Sequence, residues 1–88
     1  MAQQLQPFQF EILSPSKKVF SGDVISVTAP GFDGLFQVLK DHAPYLSSLT
    51  SGEVTVELTD KTKQSFSIDG GFFEVNANKA VILTEGNA

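Results

Sequence analysis

The chain has 88 residues, enough for one domain around one modest core. It has no cysteine, which excludes disulfides, thiolate metal sites and thiol catalysis, and its 41% hydrophobic and 18% charged residues are those of a globular chain, not a disordered one. Six lysines, no arginine and ten acids leave a net charge of −4, which argues against nucleic acid as the main partner, since the bidentate arginine fork and a basic surface are both missing.

The N-terminal stretch carries no lysine before Lys17 and no apolar run of signal length, so a secretory leader is not expected. Phe8, Phe10 and Ile12 alternate with Gln9 and Glu11, which predicts a strand with one buried face. Ser14-Pro15-Ser16 reads as a turn, and so does Ser21-Gly22-Asp23 before the β-branched run of residues 23–29. Ala29-Pro30-Gly31-Phe32-Asp33-Gly34 predicts a loop. Residues 35–49 have a helix-like spacing, but Pro44 stands inside it and disfavours helix before it. Two strands, 35–39 and 45–49, are predicted there around Asp41-His42-Ala43-Pro44.

Val54, Val56 and Leu58 alternate with polar residues and predict the next strand. Thr59-Asp60-Lys61-Thr62-Lys63 predicts a hairpin loop. Phe66 and Ile68, residues 72–75 and residues 80–83 predict three more strands. Asp69-Gly70-Gly71 and Asn76-Ala77-Asn78-Lys79 are read as the turns between them. Gly86-Asn87-Ala88 reads as a frayed end. The apolar run Ala80-Val81-Ile82-Leu83 is far too short to span a bilayer as a helix. The expectation is an all-β single domain over residues 1–88, a flattened antiparallel sandwich or barrel of about ten short strands. Phe10, Ile12, Val27, Val54, Val56, Leu58, Phe66, Ile68, Val75 and Leu83 are expected to face inward.

Residues that could carry chemistry are few. His42 is the only histidine, and a catalytic base needs an orienting partner that adjacent Asp41 is poorly placed to provide. One histidine with scattered acids does not make a metal site. Gly31-Phe32-Asp33-Gly34 lacks the Lys-Ser/Thr and the helix of a phosphate loop. Ser21, Ser47, Ser48 and Ser51 lack a nucleophile-elbow context. Lys17-Lys18 reads as a solvated turn. Catalysis, a cofactor and a metal are therefore not expected.

Four segments carry a resemblance: Phe20-Ser21-Gly22, Pro30-Gly31-Phe32-Asp33-Gly34-Leu35, His42-Ala43-Pro44-Tyr45-Leu46 and Gly70-Gly71-Phe72-Phe73-Glu74-Val75. In order and spacing the chain resembles the epsilon chain of the F-type ATP synthase, in its N-terminal β domain, and the resemblance implies a turn at Gly52. Gln37-Val38-Leu39-Lys40-Asp41 departs from the family's Gly-Ile-Leu-Pro-Gly before His-Ala-Pro. Family members usually continue into a C-terminal helical hairpin, which can restrain rotation and in some members binds ATP. Here Gly86-Asn87-Ala88 follow the last predicted strand, so neither an inhibitory arm nor nucleotide binding is expected.

The resemblance implies a non-catalytic rotor subunit coupling rotation to ATP synthesis, with the gamma subunit and the polar loops of the membrane c-subunit ring as partners. It implies that Asp33, Gly34 and Leu35, with Phe32, meet the ring, and that Ser14 and His42 lie against gamma. It also implies a peripheral position on the cytoplasmic face of a bacterial inner membrane, with the plastid thylakoid as the alternative. The competing reading is a small β-sandwich module that binds a ligand or peptide.

Overall fold

A computed structural model describes residues 6–85. Six strands follow one another: β1 (Phe8–Leu13), β2 (Lys18–Gly31), β3 (Gly34–Val38), β4 (Tyr45–Leu58), β5 (Lys63–Asn76) and β6 (Lys79–Thr84). The described chain is all-β, as its alternation predicts. The frayed end expected at residues 86–88 lies outside the described residues.

The strand count is six, where about ten short strands are expected. The difference has one cause. β2, β4 and β5 each run for 14 residues and change facing midway. On β4 the buried side is odd-numbered at Leu49 and even-numbered at Val54 and Val56. On β5 it is even at Ile68 and odd at Phe73 and Val75. On β2 a register shift between Val24 and Ser26 lets both Val24 and Val27 face the core. A change of phase resembles a break between strands, so each half reads as a strand of its own.

Three expected turns are therefore interior to strands: Ser21-Gly22-Asp23 in β2, Gly52 in β4 and Asp69-Gly70-Gly71 in β5. The loop expected over residues 29–34 shrinks to Phe32-Asp33, because Ala29, Pro30 and Gly31 pair with β3 as the end of β2. The phase change in β5 comes from Gly70 and Gly71, at φ +81° and +139°. Only glycine fits at Gly71, because a methyl there would collide with the Leu83 carbonyl oxygen. Thr84 Oγ1 donates to the Gly70 carbonyl at 2.9 Å and Ser51 Oγ donates to Asp69 Oδ1 at 2.8 Å, which fixes this corner.

Pairing closes the sheet on itself. The order is β1-β6-β5-β4-β2-β3, and β1 also pairs with β2. The sheet is not wholly antiparallel: β1 and β6 pair in parallel, Phe10 opposite Ala80 and Ile12 opposite Ile82. β3 pairs with β2 alone, from Val27↔Val38 to Gly31↔Gly34.

Phe10, Ile12, Val24, Val27, Val38, Val54, Val56, Phe73 and Ile82 are fully buried inside this closure. Phe66, Phe20, Phe10, Phe73, Phe36 and Tyr45 form a continuous chain of rings with centroids 5.4 to 5.9 Å apart. Such ring pairs each add about 0.5–1.5 kcal/mol beyond their area burial. Of the residues expected inward, Phe10, Ile12, Val27, Val54, Val56, Ile68 and Val75 are buried, and Leu58 and Phe66 pack partly buried against the core. Leu83 is not: it is half exposed, and Ile82 takes the inward place.

Candidate functional site

Directly opposed residues in a ladder share a face of the sheet. Ser48 opposes Phe72, Phe72 opposes Leu83, and Leu83 opposes Leu13. Leu46 opposes Glu74, Glu74 opposes Val81, and Val81 opposes Glu11. These two rows cross β4, β5, β6 and β1 on the outer side. They point outward because their neighbours Phe73, Val75, Ala80, Ile82, Phe10 and Ile12 fill the core. The result is an outer face unusually rich in large apolar groups, with Leu46 at 70%, Phe72 at 52% and Leu83 at 50% exposure.

The hairpin of β2 and β3 extends this face. Its turn, Phe32-Asp33, presents Phe32 and, just beyond, Leu35, both about three-quarters exposed at 74% and 73%. A groove of about 370 Å³ separates this hairpin from Tyr45–Ser48 of β4. A second, about 350 Å³, lies between Phe32, Ser48, Phe72 and the Asp69-Gly70-Gly71 corner. A third, about 380 Å³, runs beside Tyr45, Leu46 and Glu74. The first shares Phe32 and Ser48 with the second and Tyr45 and Leu46 with the third, so they form one continuous relief. Asp33, Asp69, Glu74 and Glu85 line them and no lysine does, although Lys79 lines a neighbouring depression with Glu74. The grooves thus combine exposed apolar groups with acids, and lysines stand only at the far edge of the face, Lys79 by Glu74 and Lys18 by Glu11.

The residues expected at interfaces fall in three places. Asp33, Gly34 and Leu35 form the exposed tip of the β2–β3 hairpin, Gly34 at φ +121°. Ser14 closes the turn after β1, where its hydroxyl donates to the Lys17 carbonyl at 3.1 Å and accepts from the Lys17 amide at 3.3 Å. His42 lies in the loop after β3, partly buried, its ring 5.6 Å from that of Tyr45. Its Nδ1–H donates to the Ala43 carbonyl at 2.8 Å. Asn78 Oδ1 accepts from the Asp41 amide at 2.8 Å and ties this loop to the start of β6. Ser14 is next to Leu13, which opposes Leu83 near the other end of β6. Ser14 and His42 are thus separated by most of a six-residue strand, roughly 17 Å at 3.3 Å per residue. They do not form one cluster; the apolar rows lie between them.

Among the described residues no group of three or more His, Asp or Glu side chains could hold a metal ion. Glu11, in the second row, has its carboxyl held below the ordinary range. The chief cause is the hydrogen bond from Lys18, whose Nζ lies 3.3 Å away, with smaller contributions from Lys79 and from the Ser21 hydroxyl. Lys18 is thus an ion-pair partner and not merely a solvated turn residue.

Sequence reasoning missed Leu46, Phe72 and Leu83. The signal available is the apolar doublet in a strand: Tyr45-Leu46, Phe72-Phe73 and Ile82-Leu83. A strand alternates its faces, so each doublet places one large apolar group on the outside. The doublet does not say which of the two it is.

Residues 7–87 match the family described as "ATP synthase, Delta/Epsilon chain, beta-sandwich domain". The chain is 55% identical over 85 residues to a protein named ATP synthase epsilon chain from Chlorobium limicola, covering 97% of each. It is 53% identical over 85 residues to the protein of the same name from Chlorobaculum tepidum, again covering 97% of each. In fold it resembles a chain of the Euglena gracilis mitochondrial ATP synthase, in a structure of its OSCP, F1 and c-ring, with a TM-score of 0.88 at 21% identity. That likeness covers 98% of this chain and 56% of the Euglena chain. The strand order, the closed core and these relatives agree: the chain belongs to the family of the ATP synthase delta/epsilon chain β-sandwich domain.

Proposed function

We propose that this chain is a central-stalk subunit of an F-type ATP synthase that joins the gamma subunit to the membrane ring, so that rotation of one is passed to the other. The observation that carries the reading is the match over residues 7–87, together with relatives of nearly equal length that bear the name ATP synthase epsilon chain. The physics of the fold suits it. Transmitting torque needs a stiff body, and a sheet whose pairing returns from β6 to β1 and β2 has few free edges along which layers can slide. It also needs two separate surfaces, and no catalytic constellation.

The hairpin tip with Asp33, Gly34 and Leu35 is assigned to the polar loops of the c-subunit ring. The apolar face, flanked by Ser14 at one end and His42 at the other, is assigned to gamma. In this reading the chain is non-catalytic and binds no nucleotide, and the complex holds it on the cytoplasmic face of a bacterial membrane.

The test is capture from solubilised membranes with the chain as bait, partners being identified by mass. Gamma and the ring subunit are the expected partners. In a second assay Asp33→Lys is expected to weaken attachment of the catalytic head to stripped membranes, and more at low salt than at high, because screening shortens the reach of a surface charge. Attachment unchanged across ionic strength would remove Asp33 from the ring contact. Recovery of neither gamma nor ring subunit would remove the reading.

A further inference from the structure

The loop after β3 is held from outside itself. The His42 amide donates to the Leu39 carbonyl at 3.3 Å, so residues 39–42 form a turn with Asp41 as its third residue. Asp41 stands at φ +65°, a region glycine takes freely and a residue with a Cβ takes at a cost. Its amide donates to Asn78 Oδ1 at 2.8 Å. The backbone carbonyl of Asn78 accepts from the Gln9 amide at 3.3 Å. One residue of the turn between β5 and β6 therefore ties the loop that carries His42 to the start of β1.

The His42 ring is itself fixed twice. It meets the Tyr45 ring at 61°, at the end of the chain of rings that reaches fully buried Phe73 through Phe36. Its Nδ1 lies 2.8 Å from the Ala43 carbonyl oxygen, which can only accept, so Nδ1 bears the proton. In the neutral ring Nε2 is then bare and offers a lone pair. Among the described residues Nε2 has no hydrogen-bond partner, and no buried side-chain nitrogen or oxygen is left without one. Nε2 therefore reaches the surface. A carbonyl or carboxylate placed there would set lone pair against lone pair, so a donor is the group that fits.

We infer that His42 Nε2 accepts a hydrogen bond from an N–H or O–H group of the gamma subunit, and that Asn78 is the positioning residue that holds the loop for this contact. The inference rests on the assignment of His42 to gamma in the proposed central-stalk role. It adds the atom that makes the contact, the polarity of its partner and the residue that aims it.

The test uses the full chain, free and in complex with gamma. His42 is the only histidine, so NMR of a nitrogen-labelled chain reads its two ring nitrogens without ambiguity. In the free chain at neutral pH, Nδ1 is expected to carry the proton and Nε2 to be bare. On binding unlabelled gamma, the Nε2 resonance is expected to move while Nδ1 keeps its proton. A proton on Nε2 in the free chain, or an Nε2 resonance unmoved by gamma, would overturn the inference.

Variants test the two residues separately. His42→Asn places an amide near the position of Nδ1 and nothing at Nε2, whereas His42→Gln reaches the position of Nε2. His42→Asn is expected to bind gamma about tenfold more weakly, the loss of one well-placed hydrogen bond, and His42→Gln to lose clearly less. Asn78→Gly leaves a residue suited to φ +63° and deletes only the side chain. It is expected to weaken binding by about threefold to tenfold, and Asn78→Asp, which keeps an oxygen for the Asp41 amide, to restore most of it. Binding equal to the parent's in His42→Asn would overturn the inference and leave the central-stalk role standing. Binding equal to the parent's in Asn78→Gly would overturn the role of Asn78. Failure of the parent chain itself to bind gamma would instead remove the central-stalk reading. The NMR result, taken on the parent chain, decides the matter if a variant does not fold.

Discussion

Ala77 and Asn78 lie between the paired residues Asn76 and Lys79, at φ +52° and +63°. Two central residues at positive φ make a type I′ turn, whose twist matches that of the strands it joins. Alanine is a poor resident, because the left-handed region costs an L-residue with a Cβ about 1–2 kcal/mol, a cost asparagine bears more easily. Ala77→Asn is therefore expected to stabilise the chain by up to about 1 kcal/mol, raising the melting temperature by roughly 4–8 °C for a domain of this size. An unchanged or lower melting temperature would contradict this account of the turn. Two carboxylates give the chain an acid limb. Glu11 is held low chiefly by the hydrogen bond from Lys18, and Asp60 by the side chain and amide of Thr62, at 2.6 and 3.0 Å. A carboxylate whose pKa is depressed by folding stabilises above its ordinary value and loses that contribution as pH falls through the folded value. The ordinary values are 4.5 for Glu11 and 3.8 for Asp60. Melting temperature is expected to be flat with respect to these two groups at neutral pH and to fall on acidification past those values. Glu11→Gln and Asp60→Asn should each shrink that fall. A fall of equal size in both variants would mean that other groups carry the acid limb.

At the scale of elements, alternation made the all-β class and most inward residues legible from the sequence. Val54 and Val56 stand among polar neighbours, so only one facing was open to them, and both are fully buried. Alternation could not show that three strands change phase without ending. Glycine pairs such as Gly70-Gly71 serve a turn and a mid-strand corner equally well, and the ladder on both sides distinguishes the two. The facing of β6 was illegible for a different reason: Ala80-Val81-Ile82-Leu83 is apolar on both faces. Its pairing with β1 settles it, because Ile82 opposes buried Ile12 and Leu83 opposes Leu13. This assignment has a direct consequence. Ile82→Asp places an unpaired charge in the core and is expected to cost about 4 kcal/mol or more, enough to unfold a domain this small. Leu83→Asp is expected to change stability by about 0.5 kcal/mol or less while weakening capture of gamma. Denaturant unfolding of the two variants checks the first half. Equal destabilisation would mean that β6 is turned over.

At the scale of the molecule, the candidate surfaces were partly legible. The hairpin tip is announced by Pro30-Gly31-Phe32-Asp33-Gly34 and the His42 loop by His42-Ala43-Pro44, because turns carry their own residue chemistry. The broad face between Ser14 and His42 was not, because it is assembled from single outward residues of four strands that only register brings together. In the proposed role this rigid body couples two partners and does no chemistry of its own. The measurement that tests this most directly follows ATP hydrolysis and ATP-driven ion pumping together, in membrane vesicles carrying the complex assembled with and without the chain. Without it, hydrolysis is expected to continue while pumping collapses, and adding the purified chain back is expected to restore pumping per ATP hydrolysed. Full pumping in its absence would contradict the account.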